Sequence, residues 1–80
     1  MGGGVTMNIY LVERIDEAWY DQVEDFVICA PTYFQARLLA SKDCGDEGSY
    51  VWTHESKITT LGPAAKSIKK GIIIRNYNAG

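Results

Sequence analysis

Val23-Glu24-Asp25-Phe26-Val27-Ile28-Cys29-Ala30, followed by Pro31-Thr32-Tyr33-Phe34-Gln35-Ala36-Arg37-Leu38-Leu39-Ala40-Ser41-Lys42, is the stretch whose reading decides the fold. The first eight residues end in a continuous apolar run rich in β-branched and aromatic side chains, which predicts a central strand. Pro31 ends it. Thr32 is a good N-cap, and Gln35 three residues later completes the pattern of a capping box. From Tyr33 to Lys42 the residues are mostly strong helix formers, with a lysine at the C-terminal end where the helix dipole favours a cation. A ten-residue helix is not stable alone in water, so it must pack on a sheet, through Phe34, Leu38, Ala36 or Leu39 and Ala40.

Working outward, residues 7–14 alternate as a first strand, with Met7, Ile9 and Leu11 opposed to Tyr10 and Val12. Residues 15–22 form a polar connection. After the helix, Asp43-Cys44-Gly45-Asp46-Glu47-Gly48 is an acidic, glycine-bearing loop. Ser49 to Glu55 then reads as a third strand with Tyr50, Trp52 and His54 on one face. Residues 57–61 read as a fourth, ended by Gly62-Pro63, and the β-branched run at 72–77 as a fifth. The expected architecture is α+β: a mainly antiparallel sheet of four to five strands, order ββαβββ, with one helix on one face. Residues 1–6 are a flexible lead and 7–78 a single domain, as 80 residues allow. One helix leaves the other sheet face open to solvent or to a partner, and a homodimer through that face, or through an exposed edge formed by residues 72–74, is one expected way of covering it.

The charges are unevenly distributed. Residues 1–55 hold three cations against all ten acids, a net −7, whereas residues 56–80 hold five cations and no acid, a net +5, which together make the formal −2. Two contact sets follow. The first is acidic and aromatic: Asp16, Glu17, Trp19, Tyr20 and Asp21, with Asp43, Asp46 and Glu47 behind them. Large aromatics among carboxylates fit a basic protein groove. The alternative is a nucleic-acid-binding surface made of Lys66, Lys69, Lys70, Arg75 and Tyr77. The net negative charge weighs against the second set, because dedicated nucleic-acid binders are usually basic. Of Trp19 and Tyr20, one is expected to pack inward and the other to stay partly exposed, since neighbours on an extended chain point apart.

Chemistry-bearing motifs are missing. There is no Cys/His quartet, no HExxH and no calcium-loop spacing, so no metal or cofactor is expected. His54, the only histidine, has no motif pairing it with a nucleophile such as Cys44 or Ser49, and reads as structural. Cys29 and Cys44 read as free thiols of a reducing compartment. No run approaches the roughly 18 apolar residues of a membrane span, and the leading segment lacks the features of a signal peptide. The expectation is a cytoplasmic, non-enzymatic binding protein.

Ala30, Ala36-Arg37-Leu38-Leu39-Ala40, Glu47-Gly48 and Trp52, with Leu61-Gly62-Pro63-Ala64, Gly71-Ile72-Ile73 and the ending Asn76-Tyr77-Asn78-Ala79-Gly80, give the chain a resemblance to small bacteriophage and prophage proteins. The shared motifs are a strand, a capped helix, a glycine turn and a strand, so no catalytic residue is carried over. What the resemblance implies is a phage setting in the host cytoplasm. Very small α+β proteins act there by binding, and commonly inhibiting, a host or phage protein, as anti-CRISPR and other anti-defence proteins do.

Overall fold

The apolar alternation of residues 7–14 and 23–30 builds the centre of the molecule. In a computed structural model that describes residues 6–16 and 20–78, β1 (Asn8–Arg14) and β2 (Gln22–Ala30) form an antiparallel pair running from Asn8 opposite Ala30 to Glu13 opposite Asp25. Opposed residues share a face, so Tyr10, Val12, Phe26, Ile28 and Ala30 all point to one side and are buried there. β3 (Ser56–Pro63) adds to β1, and β4 (Gly71–Asn78) adds to β2. The sheet order is β3-β1-β2-β4, with every pair antiparallel.

Between β2 and β3 the chain forms two helices, α1 (Tyr33–Lys42) and α2 (Ser49–His54), both packed on the face that carries Phe26 and Ile28. Thr32 caps α1 as expected, its side chain accepting from the Gln35 N–H at 3.2 Å. The reciprocal half of the capping box is not made: Gln35 Oε1 is buried without a hydrogen-bond partner. The helix meets the sheet through Ala36 and Ala40, both fully buried, with Leu39 packed beside them. Phe34, expected in that contact, is instead 69% exposed. Two alanines one turn apart let the helix axis approach the sheet closely, and the space left beside them is filled from α2. Trp52 is fully buried there and meets Phe26 edge-to-face, with ring centroids 4.8 Å apart.

The segment read as a third strand, Ser49 to Glu55, is therefore mainly a helix, so among the described residues the order is ββααββ rather than ββαβββ, with four strands, inside the expected four to five, and two helices in place of one. Its residues fit a strand by local preference, and tertiary packing overrides that preference. A strand would have put Tyr50, Trp52 and His54 on one face. The helix sends Trp52 into the core and stacks Tyr50 on His54 outside it, ring centroids 4.3 Å apart. The last two strands lie where the sequence reading put them, β4 longer by one residue at each end and β3 longer by three, because Gly62 and Pro63, expected to end it, continue the pairing with Ile9 and Asn8 beyond a register shift. Cys29 is buried, Cys44 half-buried, and the two thiols are not bonded.

Thr32→Ala removes the only side-chain cap of α1 and is expected to lower unfolding free energy by about 1 kcal/mol in urea titrations, with an unchanged slope. Unchanged stability would mean that the Thr32 hydroxyl contributes nothing to the start of the helix.

Candidate functional site

The strand pairing brings residues of the two sequence-predicted sets to the same end of the sheet. β4 runs antiparallel to β2, so its last residues lie beside the start of β2: Tyr77 is opposite Val23, and Arg75 opposite Phe26. There the Tyr77 hydroxyl donates to Asp21 Oδ1 at 3.2 Å, and Arg75 Nε donates to the Asp43 carbonyl at 2.9 Å. The Arg75 guanidinium also lies 3.8 Å from the Asp43 carboxylate and 4.7 Å from the centre of the Tyr77 ring. Desolvation, with the hydrogen bond to Asp21 second, raises the Tyr77 hydroxyl above its ordinary pKa. Lys66, Lys69 and Lys70 lie in the 64–70 connection at the opposite end, exposed. The alternative set is thus split, its arginine and tyrosine tied to aspartates.

The acidic set separates into structural and outward-facing members. Glu47 is structural. Its Oε1 accepts from the N–H groups of Val23 at 3.1 Å and Gly45 at 3.0 Å, and its Oε2 accepts from the Trp52 indole N–H. Burial pushes this carboxyl up, but the hydrogen bonds from Trp52 and from backbone N–H groups outweigh it and hold Glu47 below the ordinary glutamate value. Asp21 is a backbone hub with a left-handed φ of 60°. Its N–H donates to the Asn78 carbonyl at 2.7 Å, and its own carbonyl accepts from Asp46 N–H at 2.8 Å. Aspartate tolerates that conformation better than most residues.

Asp16 faces solvent while being held in place. Both its oxygens accept from Arg14, from Nε and Nη2 at 2.8 Å each, and Arg14 Nη1 donates to Gln22 at 2.8 Å. The Arg14 side chain is only 5% exposed and that of Asp16 58%. The hydrogen bond from Arg14 keeps the Asp16 carboxyl below its ordinary value. Beside this fork, Ile15 and Tyr20 are each 69% exposed. Of the pair that the sequence singled out, Tyr20 faces outward, whereas Trp19, and with it the expected inward member, lies outside the described residues, as does Glu17. Ile15 was not among the sequence candidates. Its only signal was an apolar side chain just past the end of a strand.

Two other features complete the surface. A shallow groove of about 260 Å³ along α1 is lined by Phe34, Gln35, Leu38, Leu39, Lys42 and Lys70, somewhat smaller than typical small-molecule sites. His54 stacks on Tyr50, and its Nδ1 lies 2.7 Å from Thr53 Oγ1. Among the described residues, no three His, Cys, Asp or Glu side chains converge in a way that would hold a metal ion, and no helix is long and apolar enough to cross a membrane.

Glu47→Gln keeps the shape but weakens acceptance from the three donors, and is expected to destabilise the fold by about 1–3 kcal/mol at neutral pH. Because the folded-state pKa of Glu47 is depressed, its stabilisation is complete above the unfolded glutamate value and is lost as pH falls through the folded one. Thermal melts of wild type and variant should therefore converge in acid. A gap between them that persists unchanged into acid would show that the ionised carboxylate is not what the site uses.

Models of known protein families, curated proteins and solved structures, compared with this chain, give no match.

Proposed function

We propose that this chain is a non-catalytic accessory protein of a phage setting that acts by binding, and through binding inhibiting, a protein partner with a basic surface. The observation that carries the reading is the pairing of Ile15 and Tyr20, each 69% exposed, with the outward carboxylate of Asp16 at one end of the sheet. Burying two such side chains in a partner's pocket would be worth about 1.5–3 kcal/mol each. Apolar anchors rimmed by charge are the usual composition of an interface hot spot. The Arg14 fork holds Asp16 in one place, so little side-chain freedom is lost when a lysine or arginine of the partner meets it. The cytoplasm of the host cell is the matching compartment for two free thiols.

The nucleic-acid reading is the weaker one. Arg75 and Tyr77 lie toward the other end of the sheet, opposite Phe26 and Val23, so it rests on Lys66, Lys69 and Lys70 alone, on a chain with a net charge of −2.

The test is affinity capture from a bacterial lysate with wild type, Tyr20→Ala, and the double variant Asp16→Asn with Asp21→Asn, followed by titration of the captured protein. Asparagine retains tolerance of the left-handed backbone at position 21. Each variant is expected to weaken binding at least about tenfold, with an on-rate that falls as salt is raised. Unchanged affinity in folded variants would remove this end of the sheet from the interface. Steep salt-dependent binding to DNA, abolished by replacing the three loop lysines with alanine, would replace this reading with the nucleic-acid one.

A further inference from the structure

Both helices cover the same face of the sheet, and the register defines what the other face carries. Rows of opposed residues run across the four strands. Nearest the acidic end is Lys57, Glu13, Asp25 and Asn76. The middle row is Thr59, Leu11, Val27 and Ile74. The third is Gly62, Ile9, Cys29 and Gly71. Beyond it lies the 64–70 connection with its three lysines.

The middle and third rows are complementary in shape. The middle row projects three apolar side chains, of which Ile74 is 55% exposed. The third row is low at both edges, because Gly62 and Gly71 have φ near +150° (151° and 148°), where a side chain is strained, and a Cβ built on either meets nothing within 4 Å. The charges are complementary as well. Glu13 and Asp25 lie beside the middle row, and Lys66 and Lys69 lie beyond the third, whereas Lys70 lines the groove along α1 on the helix-covered side.

From these observations we propose that the open face binds a second copy of this chain, about a twofold axis that lies across the strands between the middle and third rows. That operation sets each strand over its own counterpart, running in the opposite direction. Ile74 then fills the space over Gly71 of the second copy, and Leu11 packs on Ile9, while Cys29 lies buried beneath the surface of its row. Glu13 and Asp25 meet the lysine connection of the other copy, and the same contacts recur on the other side of the axis. The twofold parallel to the strands would oppose the two acidic rows instead, and like charges disfavour it. Sheet twist rotates the two copies by about 30° without changing which rows meet. Four strands at about 4.8 Å spacing and eight residues at about 3.4 Å give a face on the order of 500 Å² per copy. Two such faces bury on the order of 1,000 Å², at the lower limit for a specific dimer. The ends that carry Ile15 and Tyr20 stay clear of this interface.

Sedimentation equilibrium of the full chain from micromolar to submillimolar concentration tests this. Wild type is expected to approach a dimer and stop there. A monomer throughout, or open-ended growth, would overturn the proposal. Ile74→Lys and Leu11→Lys should each abolish the dimer while leaving circular dichroism unchanged. Should Leu11→Lys fail to fold, the exposed Ile74 decides alone, and a dimer that survives Ile74→Lys lies on another surface. Orientation is tested by charge exchange. Glu13→Lys with Asp25→Lys, and separately Lys66→Glu with Lys69→Glu, should each weaken the dimer at least about tenfold. All four changes together should restore it. Failure of the combined variant to recover would overturn the antiparallel arrangement.

Discussion

The Glu47 carboxylate accepts hydrogen bonds from Val23 N–H, Gly45 N–H and the Trp52 indole, and much of the molecule is positioned by that single group. It fastens the loop after α1 to the start of β2, and it orients the one side chain large enough to fill the space that Ala36 and Ala40 leave over the sheet. A tryptophan is buried at low cost only where its N–H finds an acceptor, and a carboxylate is held below water only where donors surround it. Each group supplies what the other requires. The interior built around this pair comprises few residues, as an 80-residue chain dictates, so its polar contact carries weight that a larger core would spread.

A one-sided core has a second effect. With every apolar demand of α1 and α2 met on one face, residues of the other face were free to be ordered along the strands rather than across them. The result is a molecule with carboxylates gathered toward one end and lysines at the other, although its net charge is only −2. Arg14, Lys57 and Arg75 sit among the acids. Arg14 is used to fix Asp16, and Arg75 is drawn to Asp43.

Much of this was legible in the residues. The alternation of residues 7–14, the apolar run at 26–30 and the Thr32 cap locate β1, β2 and α1, because each signal is local and each agrees with the final packing. α2 was not legible. Six residues with two β-branched members and an every-second-residue aromatic pattern look like a strand. They become a helix because Trp52 has to reach Glu47 and Phe26. Charge segregation in the sequence survived folding only in part. Lys66, Lys69 and Lys70 kept together, whereas Arg75 and Tyr77 moved to the acidic end, since the direction of β4 depends on a partner strand some fifty residues away, as the contact of Asn76 with Glu24 at a separation of 52 shows. Nothing local encodes that distance. Among the candidates, Glu47 looked like one more loop acid; only three converging donors distinguish it.

The strand order β3-β1-β2-β4 also says something about how the molecule comes into being. The central hairpin belongs to the first 30 residues, while both flanking strands belong to the last third of the chain. During synthesis the hairpin emerges with neither flank covered, and no partial sheet wider than two strands can assemble until residues 56–63 have left the ribosome. Closure of such distant pairs loses loop entropy before any contact compensates, which places the domain among the slower folders for its size. Until β4 arrives, the unpaired backbone edge of β2 at Phe26–Cys29, set among apolar side chains, is the segment of the nascent chain most in need of a chaperone's protection.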